Sequence, residues 1–171
     1  MLKTFNLFCL VVICLITSSV TFAIDYNYKK IDDFKTLESF KSVDEFEAYY
    51  KEYIQNCLDN TGGGTGGIQC FNSYDIWDRE LNIYYKKLMS ILGKKEKQML
   101  KASQLAWINE RDKSIDFNSS LLDIEYKNEM GTMYALMRTG DADRLITPII
   151  KQRALQLKSW FEFVENQNQN K

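Results

Sequence analysis

Between Cys70 and Ile115 the apolar side chains recur at steps of three and four, and this rhythm confines the chain to a helical fold. Tyr74, Trp77, Leu81, Tyr85, Leu88 and Leu92 fall on one face of a first helix. Leu100, Gln104, Trp107, Arg111 and Ile115 keep the same spacing on a second. Gly93 and the lysines after it break the pattern, and a connection between helices can be that short. The spacing therefore predicts a central antiparallel helical hairpin with Trp77 and Trp107 at its core. No alternating run is long enough for a strand, and proline occurs once. The expected fold is all-α, with four to five helices around the hairpin.

Polar residues interrupt this apolar seam. Folding the hairpin about Gly93 brings Asn82 level with Gln104, and Arg111 level with Asp75 or Asp78. A buried amide needs a partner and a buried guanidinium needs a carboxylate. The expectation is that Asn82–Gln104 and Arg111–Asp75/Asp78 pair across the hairpin and set its register.

The remaining segments follow from local signals. Lys3, the apolar run Leu7 to Ile16, and Thr21-Phe22-Ala23 form a secretory signal peptide with cleavage expected after Ala23. Residues 24–41 are polar with isolated aromatics and are expected to be a flexible, loosely held arm. Ser42 with Glu45 is a capping box that opens a helix bearing Phe46, Tyr49, Tyr50, Tyr53, Ile54 and Cys57, ending near Asp59. The glycine-rich run 61–67 is expected to be a flexible loop, since glycine carries a heavy entropy cost in a helix. It lacks the lysine and hydroxyl residue of a phosphate-binding loop. Asn118-Ser119-Ser120 predicts an end or kink, and Gly131-Thr132 a stop followed by a fresh cap. Gly140-Asp141 predicts a further interruption, and Thr147-Pro148 the start of a last helix. The helical domain is expected over 42–165 and a disordered tail over 166–171.

Cysteine and histidine usage narrows the chemistry. Cys9 and Cys14 leave with the signal peptide, so Cys57 and Cys70 remain in an oxidising compartment, with one pairing open to them. Two free thiols or a metal site are the alternatives, and two cysteines in a chain without histidine make a poor zinc site. The absence of histidine excludes Ser-His-Asp and Cys-His catalysis and histidine metal ligands. Glu110 and Asp112 are the nearest thing to a carboxylate pair, but two residues apart they do not share a helix face. No enzyme is expected, no cofactor and no metal.

Formal charge is −1 and is unevenly spread. Residues 24–60 hold nine acidic and five basic residues, and the chain from Thr61 onward fourteen and sixteen. Lys86, Lys87, Lys94, Lys95, Lys97 and Lys101 make the hairpin turn basic. An acidic, exported domain is a poor candidate for nucleic-acid binding. No apolar stretch after the signal peptide is long enough for a stable membrane anchor, so the mature chain is expected to be secreted or periplasmic.

The hairpin residues, with their spacing, resemble the LprI-type family of lysozyme inhibitors. The matching residues are Cys70, Trp77-Asp78, Leu81-Asn82 and Tyr85, then Leu100, Gln104, Trp107 and Arg111-Asp112. Gly131-Thr132, Arg153 and Leu157 fit the later part of the pattern, and Cys57 fits its first cysteine. The likeness covers about residues 57 to 158. Many members carry another cysteine shortly after the Arg-Asp pair. Ser114 stands in that region here, so a second disulfide is not expected. The resemblance implies a small exported bacterial helical protein, in some members an inhibitor of lysozyme. The leading expectation is a protein that binds lysozyme or another peptidoglycan-cleaving hydrolase and blocks it. The alternative is an envelope immunity or interaction protein with a different partner. The glycine run is a candidate to enter a partner's cleft.

Overall fold

The structure, a computed structural model, describes residues 26–169. The expected signal peptide lies outside the described residues. Four α-helices follow one another: α1 (Val43–Asn60), α2 (Ser73–Ile91), α3 (Lys94–Glu125) and α4 (Thr132–Gln169). Short 3-10 helices cover Ile31–Asp33, Leu37–Ser39 and Gly64–Cys70. No strand occurs among the described residues, so the all-α expectation holds.

Helix starts follow their caps. Ser42 Oγ accepts the Glu45 N–H at 3.1 Å, while Glu45 Oε2 reaches back to the Lys41 N–H at 3.0 Å. The second bond goes to the residue before the cap, a small variant of the expected box. The α2–α3 turn falls at Gly93, as the spacing predicts.

The chain runs up-down-up-down, with α2 and α4 as its central pair. These two helices point the same way. The Tyr74 N–H meets Asp143 Oδ1 at 3.1 Å near their starts, and the Tyr84 ring lies 6.4 Å from that of Phe161 further along. Ile150, Ala154 and Leu157 of α4 are fully buried, as are Ile76 and Trp77 of α2. Opposite sides of α4 take the two remaining helices. Lys151 Nζ pairs with Glu47 Oε1 of α1 at 2.6 Å, and two residues on, Arg153 Nε donates to Gln104 Oε1 of α3 at 3.0 Å. Residues two apart in a helix point about 200° apart. Thus α2 and α3 run antiparallel on either side of Gly93, but the expected central pairing of α2 with α3 gives way to α2 with α4, and Trp107, expected in the hairpin core, is half-buried against Arg153 of α4.

Trp77 joins three helices. Its indole N–H donates to Tyr50 Oη of α1 at 3.0 Å, the Phe46 ring stands edge-on at 5.3 Å, and Lys151 of α4 lies over its face at 5.6 Å.

Several local expectations are corrected. The segment 26–41 is held, not loose. Phe34 and Leu37 are buried in the core. Arg79 of α2 donates to the carbonyls of Ile31, Phe34 and Lys35 at 2.6, 2.7 and 3.0 Å. The same guanidinium holds buried Glu80, with Nη2 to Oε1 at 2.7 Å. Three carbonyls satisfied by one side chain give the segment a fixed path, a device no periodicity reveals.

The glycine run is also packed. Gly62, Gly63 and Gly64 have φ of 70°, 75° and 55°, a turn that glycine makes without steric cost. Residues Gly64–Cys70 then wind into a 3-10 helix against α4. A Cβ at Gly67 would lie 2.7 Å from Leu136 Cδ1, so the missing side chain is what lets α4 approach. Tyr28 Oη donates to the Gly66 carbonyl at 2.6 Å.

Of the breaks expected in the second half, the one at Gly131-Thr132 is present, with α4 starting at Thr132, and the other three do not occur. Asn118 to Ser120 lie within α3, and Gly140-Asp141 and Thr147-Pro148 within α4. Gly140 serves contact instead of interruption, because a Cβ there would meet Phe71 Cζ at 2.9 Å. Tertiary packing along a helix of 38 residues outweighs one glycine and one proline, which cost about 1 and 3 kcal/mol. Residues 166–169, expected to be disordered, continue the helix.

Cys57 and Cys70 form a disulfide across a separation of 13 residues. It ties the end of α1 to the start of α2 around the glycine turn. A loop of that length stabilises by about 3 kcal/mol in the chain-entropy model. Replacing both cysteines by serine should lower unfolding stability by roughly that amount, measured by urea titration.

Glu80 gives a pH test. Burial pushes its carboxyl up, against the pull of the Arg79 guanidinium. A raised folded-state value means the folded chain holds a proton that the unfolded chain has released, so stability falls as pH rises through that window and stays low above it. Glu80→Gln should therefore gain on the unsubstituted protein in urea unfolding as pH rises above the ordinary carboxylate range. A stability difference that does not change with pH would contradict this.

Candidate functional site

One face of α3 and one of α4 enclose a surface groove of about 370 Å³. Gln104, Trp107 and Arg111 project from α3 at intervals of three and four, which keeps them on one face. Ile149, Gln152, Arg153 and Gln156 face them from α4.

Arg153 organises the groove. It is 5% exposed, and each part of its guanidinium has a partner. Nε donates to Gln104 Oε1 at 3.0 Å, Nη1 to Gln156 Oε1 at 2.6 Å, and Nη2 to Ser103 Oγ at 3.0 Å. Its central carbon lies 5.7 Å from the Trp107 ring and 5.2 Å from Trp160. Arg111 approaches Trp107 as well, at 5.4 Å. All three contacts are cation–π in range. Burial lowers the Arg153 value from the usual arginine range, yet a guanidinium stays charged at any physiological pH.

The two predicted cross-hairpin pairs are not formed. Asn82 is exposed on α2 and donates within its own helix, to the Asp78 carbonyl at 2.8 Å and to Asp78 Oδ2 at 2.9 Å. Gln104 turns to α4 instead. Arg111 pairs with its neighbour, donating to Asp112 Oδ1 from Nε at 2.8 Å and Nη2 at 2.6 Å. Asp75 is left with burial and the charges of Asp78 and Asp143, all of which raise its carboxyl. The reason is the position of α4. Level positions on α2 and α3 do not meet when a third helix supplies the nearer partner.

The other family-type residues are spread through the frame. Trp77 and Leu81 are buried in the core, and Tyr85 packs against it. Asp78 is half-buried and Asp112 exposed. Cys57 and Cys70 are fully buried. The groove therefore gathers Trp107, Arg111 and Arg153, with buried Gln104 bonded to Arg153 behind it, while Trp77, Asp78, Leu81, Asn82 and Tyr85 belong to α2. Glu110 lines the groove, and Asp112 faces Arg111. Ser103 and Gln156 complete the Arg153 cage and carry no signal in the sequence beyond lying one turn from motif residues. No cluster of His, Cys, Asp and Glu that could hold a metal ion occurs among the described residues.

This geometry separates the two pairings experimentally. Hydrogen bonds to a charged group contribute about 1.5–3 kcal/mol. A double-mutant cycle on Gln104→Ala and Arg153→Ala should give coupling in that range by chemical unfolding. Asn82→Ala, at an exposed site, should cost less than about 0.5 kcal/mol and show no coupling to Gln104.

Comparison with known proteins places the helical frame. Neither a curated protein nor a solved structure matches the chain. A family model described as lysozyme inhibitor LprI matches residues 57–157, from the first bridged cysteine through the buried part of α4. The chain belongs to the LprI family, a family of inhibitors and not of enzymes.

Proposed function

We propose that this protein is exported, its first 23 residues serving as signal peptide, and that it binds a peptidoglycan-cleaving hydrolase of the lysozyme type and blocks it. The observation that carries this reading is the family match over 57–157, which spans the disulfide, α2, α3 and the Arg153 cage. Export is supported by the Cys57–Cys70 bridge, since disulfides persist in oxidising compartments. Among the described residues no helix is long and apolar enough to cross a membrane. Inhibition by binding needs only a rigid surface that covers a partner's cleft, and this fold supplies helices fixed by a bridge and a buried cation.

A second reading has one observation in its favour. Most motif residues are internal or half-internal: Trp77 and Leu81 sit in the core and Arg153 in its cage. Residues in such places maintain a frame and do not choose a partner. The same frame could therefore serve as an envelope immunity or interaction protein against a different target, for example a secreted cell-wall toxin.

Purified exported chain, with its bridge formed, should slow lysis of peptidoglycan by c-type or g-type lysozyme in a turbidity assay. Reduction of the bridge should weaken the effect. Undiminished lysis by both enzymes at high excess of the chain would reject the lysozyme reading and favour the second.

A further inference from the structure

The α3–α4 turn carries an exposed apolar row that the fold does not use. Phe117, Leu121 and Ile124 recur at steps of four and three on α3, Met130 lies in the turn, and Met133 and Met137 follow on α4. Their exposure runs from 42% at Leu121 to 88% at Met130. Six of the eleven large exposed hydrophobic residues fall within these 21 positions, so the row is a concentration and not scatter.

The end that bears it is braced. Leu122 is buried. Tyr126 Oη donates to Asp141 Oδ2 at 2.7 Å, and Arg138 pairs with Asp123. A braced surface loses little conformational freedom on binding, and methionine adapts its shape to a partner.

Charge identifies the occupant. Residues 116–138 hold Asp116, Asp123, Glu125 and Glu129 against Lys127 and Arg138, and Arg138 is paired with Asp123, which leaves the tip net acidic. At the other end of α3, residues 86–101 hold six lysines against Glu96. A helix of 32 residues separates the two ends by about 48 Å, well beyond the screening length of about 8 Å at physiological salt. The two ends therefore attract partners independently, and two copies would repel tip to tip.

We propose that the tip formed by residues 117–137 is the inhibitory surface, and that it docks on a cationic protein surface bordering an apolar cleft. This rests on the reading above. Lysozymes are often strongly basic, so the acidic rim would steer encounter and the apolar row would fill the cleft. The glycine run, anchored against α4, is not the inserted element.

The test is titration calorimetry and stopped-flow association with c-type and g-type lysozyme. Three variants of the full exported chain are compared, each checked for an unchanged melting temperature. Ile124→Ser/Met130→Ser/Met133→Ser removes apolar contact at exposed sites and should weaken binding at least tenfold. Asp116→Lys/Glu125→Lys should slow association at least fivefold, with the difference shrinking in 500 mM salt. Lys94→Glu/Lys95→Glu, at the opposite end, should stay within twofold of the unsubstituted chain. If the unsubstituted chain binds and both tip variants bind as well as it does, the tip assignment is overturned while the inhibitor reading stands. If the unsubstituted chain binds neither lysozyme, both fall together. Sedimentation showing a dimer that the tip variants abolish would assign the row to a second copy and overturn the proposal.

Discussion

Everything in this fold depends on enclosing Trp77. The indole has no exposed surface, so it needs cover on every side and an acceptor for its N–H. Cover comes from Phe46 and Tyr50 of α1 and from Lys151 of α4. The acceptor is Tyr50 Oη. Packing is the larger share: a buried tryptophan truncated to alanine costs about 3–5 kcal/mol, against about 1 kcal/mol for one neutral hydrogen bond. The bond matters for specificity, because it selects the arrangement in which α1 lies across α2. Lys151 then closes the third side while its ammonium pairs with Glu47 of α1. Burial alone would raise Glu47, but the Lys151 and Lys51 ammoniums outweigh it and hold the carboxyl below its usual range.

Once α4 is committed to α2, its opposite side has to accommodate Arg153. A buried guanidinium without acceptors would be strongly unfavourable. Gln104, Gln156 and Ser103 supply three oxygens, and two indoles approach the cation. This cage sets the register of α3 on α4. Because no carboxylate takes part, it is a charged group solvated by neutral dipoles and aromatic faces. That chemistry brings Gln104 and Trp107 of α3 together with Arg153, 46 residues beyond Trp107 in the chain.

The division between frame and surface follows. The buried residues hold the helices together, and the exposed ends of the bundle take no part in that packing. Acidic and basic charge gathers at opposite ends of α3 for the same reason, since nothing in the core constrains those positions.

Much of this was legible in the residues alone. Steps of three and four dictated helices, Ser42 and Gly131-Thr132 marked their starts, and the even pair Cys57 and Cys70 marked a bridge. These features are local, or have only one solution. Which helices would be neighbours was not legible. Asn82 and Gln104 are level on a folded hairpin, but level positions pair only if nothing lies closer, and α4 does. Gly67 and Gly140 read as breaks because propensity is a local quantity, whereas in the fold each is the gap through which Leu136 or Phe71 approaches. The arm read as loose because its anchors, the three carbonyls held by Arg79, are backbone groups with no signature in side-chain pattern. Local sequence determined where the helices are and how they begin. Tertiary structure decided which of them touch, because the partner of a buried polar group is chosen by distance in space, and distance is set only after all four helices are in place.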